Sequence, residues 1–161
     1  MARFFKRFVT ITLGAFFPLL LLGAVVALAA ANPLVGTWHL NLVKSKFGTS
    51  PRPKSAIAKV VSKDEGVGVT LWIVNGDGTN SELHYTAKYD GKDYTIAGSR
   101  LFDTVALKRI DDHTDEVIYK KKGKVIRTSK RAVSKDGKLL TITDEAPSGK
   151  SASVVSVWDR Q

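Results

Sequence analysis

From Asn32 to the C-terminus, apolar and polar residues alternate with a period of two, and turn dipeptides interrupt the pattern at short intervals. This is the pattern of half-buried β-strands. The first run, Gly36-Thr37-Trp38-His39-Leu40-Asn41-Leu42, puts Trp38, Leu40 and Leu42 on one face. The stretch from Lys44 to Ser55 is polar and holds Pro51 and Pro53. It predicts a loop, because each proline removes a backbone donor and restricts the residue before it. Strands are predicted near 56–63 and 67–74, the second with Val67, Val69, Leu71 and Ile73 in phase. Asn75-Gly76-Asp77-Gly78 then predicts a hairpin. Leu83, Tyr85, Ala87 and Tyr89 alternate with polar residues over 81–89, and Asp90-Gly91 leads into a short strand with Tyr94 and Ile96.

Further strands are predicted near 102–110, 115–121, 124–134, 138–144 and 152–159. They are separated by Asp111-Asp112, Lys122-Gly123, Asp136-Gly137 and Pro147-Ser148-Gly149. No segment beyond residue 32 has a helical period. The fold class that follows is all-β: an antiparallel up-and-down meander closing into a barrel of about 8–10 strands. Closure removes exposed edges, and that strand number leaves room for one small ligand. Trp38 is expected to seal one end, as large aromatics dominate cores.

Residues 1–31 break this pattern. Arg3, Lys6 and Arg7 precede a run without charge from Phe8 to Ala31, which ends in Ala27-Leu28-Ala29-Ala30-Ala31. A basic start, an apolar centre and an A-x-A ending are the parts of a signal helix, with cleavage expected before Ala30 or before Asn32. The alternative is an uncleaved anchor, since the run is long enough to cross a bilayer of about 30 Å. The basic residues would hold the N-terminus in the cytoplasm, so the 32–161 domain is expected outside in both cases. The protein is thus expected to be periplasmic or secreted, or else held at the inner membrane with its domain outside. Its partners on that route are the export machinery and signal peptidase. The chain has no cysteine, which excludes a thioether lipid anchor and leaves the core alone to stabilise the domain.

Of the formal +10 charge, Arg3, Lys6 and Arg7 contribute three, leaving +7 on the exported part. Such a charge bears on partners and solubility rather than on fold. It is dispersed except at Lys120-Lys121-Lys122-Gly123-Lys124. At a hairpin turn this cluster reads as a solvated tip that protects a β-edge, and no specific nucleic-acid partner is expected.

No catalytic constellation is present. His39, His84 and His113 lack metal-ligand spacing, and G-x-S-x-G is absent. A non-catalytic protein without metal or cofactor is expected. The candidate binding residues are Arg127, Arg131, Tyr85, Tyr94 and Trp158. Arg127 and Arg131 share a strand face with Val125, Ser129 and Val133. Facing inward they would hold an anionic headgroup, and facing outward they would be surface charges. Tyr85, Tyr94 and Tyr119 either line a cavity or fill it.

Gly36-Thr37-Trp38 is similar to the G-x-W pattern of the first strand of lipocalins and fatty-acid-binding proteins. Lys44-Ser45-Lys46-Phe47, Arg131-Ala132-Val133, Asp136-Gly137-Lys138-Leu139 and Val157-Trp158-Asp159-Arg160 resemble pieces of the fatty-acid-binding group. The chain as a whole resembles uncharacterised exported bacterial lipocalin-like (calycin-type) proteins. That resemblance implies a carrier barrel. Arg131 takes the place of the first arginine of the carboxylate clamp in fatty-acid-binding proteins, Ser156 that of the second and Trp158 that of the tyrosine. The segment from Phe47 to Ser55 stands where those proteins carry a helix pair. The leading function is binding or sequestering a small apolar or amphiphilic molecule in the cell envelope. The alternatives are an interaction module with a filled barrel and a cationic binder of the envelope surface.

Overall fold

The computed structural model describes residues 32–145 and 154–161. The expected signal or anchor segment over 1–31 and the turn at Pro147-Ser148-Gly149 lie outside the described residues. Ten strands follow one another: β1 Gly36–Lys46, β2 Ser55–Lys63, β3 Gly66–Val74, β4 Asn80–Lys88, β5 Tyr94–Thr95, β6 Thr104–Arg109, β7 Thr114–Lys121, β8 Lys124–Val133, β9 Leu139–Glu145 and β10 Val154–Arg160. All pairings are antiparallel, in the order β4-β3-β2-β1-β10-β9-β8-β7-β6-β5. The meander therefore joins its first strand to its last. Its seam falls between β4 and β5, where a single bridge exchanges hydrogen bonds between His84 and Ala97 at 3.0 and 2.9 Å. Gly98 has φ +80°, and a Cβ there would meet the Glu82 carbonyl oxygen at 2.6 Å. Glycine is what lets the seam close. The result is a nearly closed barrel.

One end is packed solid. Trp38 is fully buried and its indole N–H donates to the Leu34 carbonyl at 2.9 Å. The Arg160 guanidinium lies 4.2 Å from the centre of a Trp38 ring, a cation–π geometry. It also donates to the Val35 carbonyl at 2.7 Å, and to the carbonyls of Pro33 and Gly137. Val67, Val105, Leu107, Val117 and Leu140 complete this plug.

Two departures from simple alternation shape the other end. β1 continues to Lys46 instead of giving way to a loop at Lys44, because side chains replace the missing ladder bonds. Between Asn41 and Lys46 its register against β10 slips. The Asn41 Oδ1 accepts from the amides of Val43 and Lys44, and the Ser45 Oγ accepts from the Val157 amide. In the second departure, Lys120 pairs with Val125 but Tyr119 pairs with Arg127, so Ile126 is bulged out of the β7–β8 ladder. Val125 consequently faces solvent rather than sharing the face of Arg127 and Arg131 as the period-two count predicts.

Candidate functional site

Above the plug the barrel holds a cavity of about 250 Å³. Small residues help to leave it open: of the three inward positions of β2, two are Ala56 and Ala58, and the third is Val60. The wall made by β2, β3 and β4 is apolar, with Val69, Leu71, Ile73 and Leu83 in phase. The opposite wall, from β7, β8, β9 and β10, is mixed: Tyr119, Arg127, Ser129, Arg131, Asp144 and Ser156 stand among Leu140, Ile142, Val154 and Trp158. Phe47, Ser50, Pro51 and Pro53 of the proline-broken segment line the mouth. That segment is anchored by the Lys54 amide to the Val74 carbonyl at 2.8 Å, and by Arg52 Nη2 to the Leu42 carbonyl at 3.0 Å. A short proline-stiffened loop thus stands where the resemblance places a helix pair.

Arg131 is inward and 5% exposed. Its Nε and Nη2 donate to the two carboxylate oxygens of Asp115, both at 2.7 Å, and its Nη1 donates to the Tyr85 hydroxyl at 3.1 Å. Asp115 is 4% exposed. It also accepts from the Tyr89 hydroxyl at 3.1 Å, which in turn accepts from Asn32. The pair is bidentate, the strongest geometry for these ions. Arg131 is therefore neutralised by the protein itself.

Arg127 stands higher on the same face. It is half-exposed, with Nη1 3.4 Å from the Asp144 carboxylate and its guanidinium 5.0 Å from the Phe102 ring centre. Asp144 also accepts from the Ser129 hydroxyl. Two arginines and two carboxylates thus cancel along one wall.

Tyr85 is buried at 4% and lines the cavity. Trp158 does so as well, with its indole N–H donating to Ser156 Oγ at 2.9 Å. Tyr94 is placed elsewhere: it packs against the core from two-residue β5, and its hydroxyl donates to Asp90 at 2.9 Å. Tyr119 stacks at 4.7 Å on Phe102 and faces the cavity. Burial first, then the neighbouring Tyr85, push its phenol well above the ordinary value near 10.

Asp115 is the residue that sequence reasoning missed. It is in phase with Val117 and Tyr119, so a carboxylate on a core face was visible. Its partner was not: counted from the Lys122-Gly123 turn without a bulge, Asp115 falls opposite Lys130, and the bulge at Ile126 moves it to Arg131. The lysine cluster at that turn is half-paired, Lys120 with Asp93 at 2.8 Å and Lys121 with Asp103 at 2.7 Å. Among the described residues, no three His, Asp or Glu side chains gather as metal ligands. No protein-family model matches the chain, and no curated protein matches it significantly.

Proposed function

We propose that this is an exported, non-catalytic, lipocalin-like barrel that binds or sequesters a small apolar or amphiphilic molecule in the cell envelope. The observation that carries the reading is the cavity of about 250 Å³, apolar over β2 and β3 and with polar groups among apolar ones on the side of β7 to β10. The charged-then-apolar segment over 1–31 supports export. Size limits the ligand. An apolar cavity of about 150 Å³ takes benzene, so this one encloses roughly ten non-hydrogen atoms, short of a long-chain fatty acid. At roughly 0.6 kcal/mol per atom such a ligand binds with Kd of about 10–100 μM.

The test is a tryptophan-fluorescence titration with 1-nonanol, since Trp158 lines the cavity. The variant Ala58→Leu adds side-chain atoms to the apolar wall. It is expected to bind at least tenfold more weakly, by a roughly 1.4 kcal/mol loss, with no loss of thermal stability. Saturable binding unaffected by Ala58→Leu would overturn the cavity as the site. A second reading draws on the same volume, which lies below the roughly 300–1,000 Å³ of ordinary ligand sites. In it the barrel is an interaction module filled by its own side chains, and neither protein binds the alcohol.

A further inference from the structure

We propose that the cavity selects a neutral amphiphile whose head is a carbonyl or hydroxyl oxygen, and that it rejects the matching carboxylate. This rests on the carrier reading above and names its ligand class. The first argument is charge. Arg131 is held by both oxygens of Asp115, and Arg127 lies beside Asp144. Among the described residues, each inward-facing cation on this wall has a carboxylate beside it. A carboxylate ligand would give up its hydration, approach Asp115 and Asp144, and find each arginine already engaged. Taking a charge out of water without a free counter-charge is strongly unfavourable.

The second argument is the supply of neutral donors. The Tyr85 hydroxyl accepts from Arg131, which leaves its own hydrogen to give. The Ser156 hydroxyl accepts from the Trp158 indole and is in the same position. The Tyr119 hydroxyl has no hydrogen-bond partner among the described residues, yet its ring lines the cavity. These three come from β4, β10 and β7 and face one space. Desolvation keeps Tyr119 protonated, so it stays a donor throughout the physiological range. A ketone, ester or alcohol oxygen loses little hydration on entry and gains a hydrogen bond from hydroxyls that donate to no other described residue. The apolar wall of β2 and β3 takes the tail.

The experiment compares two molecules of the same size, methyl heptanoate and octanoate, with octane as the headless reference, by calorimetric titration at about pH 7, where a carboxylate is ionised. The ester is expected to bind at least tenfold tighter than octanoate. Tyr119→Phe, which keeps the ring on Phe102, is expected to weaken the ester by roughly two- to tenfold and to leave octane unchanged. Octanoate binding as tightly as the ester, or tighter, overturns the inference while leaving the carrier reading intact. Equal losses of ester and octane in Tyr119→Phe overturn the assignment of the head to these hydroxyls. Absence of binding by all three molecules removes the carrier reading, and this inference with it.

Discussion

Replacing Arg131 by methionine should be among the most damaging single changes in this barrel, although methionine keeps an unbranched chain as far as the Nε position and is more apolar. The side chains of Arg131 and Asp115 are 6% and 5% exposed, and two bonds of 2.7 Å join them. Two effects compete. Methionine removes the cost of desolvating a guanidinium, and it leaves Asp115 as a buried carboxylate with only the Tyr89 hydroxyl, at 3.1 Å, to stabilise it. The second effect wins, because an uncompensated buried charge costs about 3–5 kcal/mol. For a domain of roughly 130 residues, 1 kcal/mol corresponds to about 4 °C in Tm, so the midpoint should fall by about 12–20 °C.

Removing both partners tests the cause. Arg131→Met with Asp115→Leu leaves no orphaned charge, and such replacements are often neutral or stabilising by about 1–4 kcal/mol. The double variant should therefore regain most of the loss, giving a coupling energy of about 2 kcal/mol or more in the mutant cycle. Urea unfolding followed by fluorescence measures this directly, since Trp38 and Trp158 are buried. A single-variant loss below about 1 kcal/mol, or a double variant as weak as the single, would refute a dry, charge-paired wall.

Stability should fall in acid. The carboxyls of Asp77, Asp103, Asp136 and Asp159 are held below the ordinary value of 3.8, first by side-chain hydrogen bonds from Thr79, Lys121, Ser134 and Asn41 respectively. Those of Asp90 and Asp111 are lowered first by the backbone amides of Lys92 and His113. With folded values below unfolded ones, their contribution is complete above about pH 4 and is lost as pH falls through the folded values. Urea midpoints that stay flat from about pH 5 to pH 2 would contradict this. Gly66→Ala should cost about 1–3 kcal/mol, because its new Cβ lands on the Ala87 carbonyl oxygen of β4; a midpoint equal to that of the parent protein would speak against so close an approach. Expressed in a host that exports it, the protein should be recovered starting at Ala30 or Asn32, and an intact mass that retains Met1 in the membrane fraction would favour the anchor.

Much of this barrel is legible in a line of text. Ten strands follow from period-two alternation, because a sheet with one wet face and one dry face allows no other phase. The inward phase of Val67, Val69, Leu71 and Ile73 is readable for the same reason, as is the burial of Trp38. Local chemistry also marks the β7–β8 turn, where Lys122 and Gly123 both adopt positive φ. What the alternation does not carry is any event that breaks it. The bulge at Ile126 shifts one ladder by one residue, and that shift decides that Arg131 meets Asp115 rather than leaving an arginine free for a ligand. The extension of β1 depends on two side chains where the regular ladder lapses, Asn41 accepting from amides of β1 itself and Ser45 from the Val157 amide of β10. The cavity depends in part on Ala56 and Ala58 lying across from a mixed wall that arrives some seventy positions later in the chain. Residue phase is a local property set by solvent, whereas register, partner and empty volume are set by which distant strands close the barrel. For this protein, those three alone decide whether its arginines are available to a ligand.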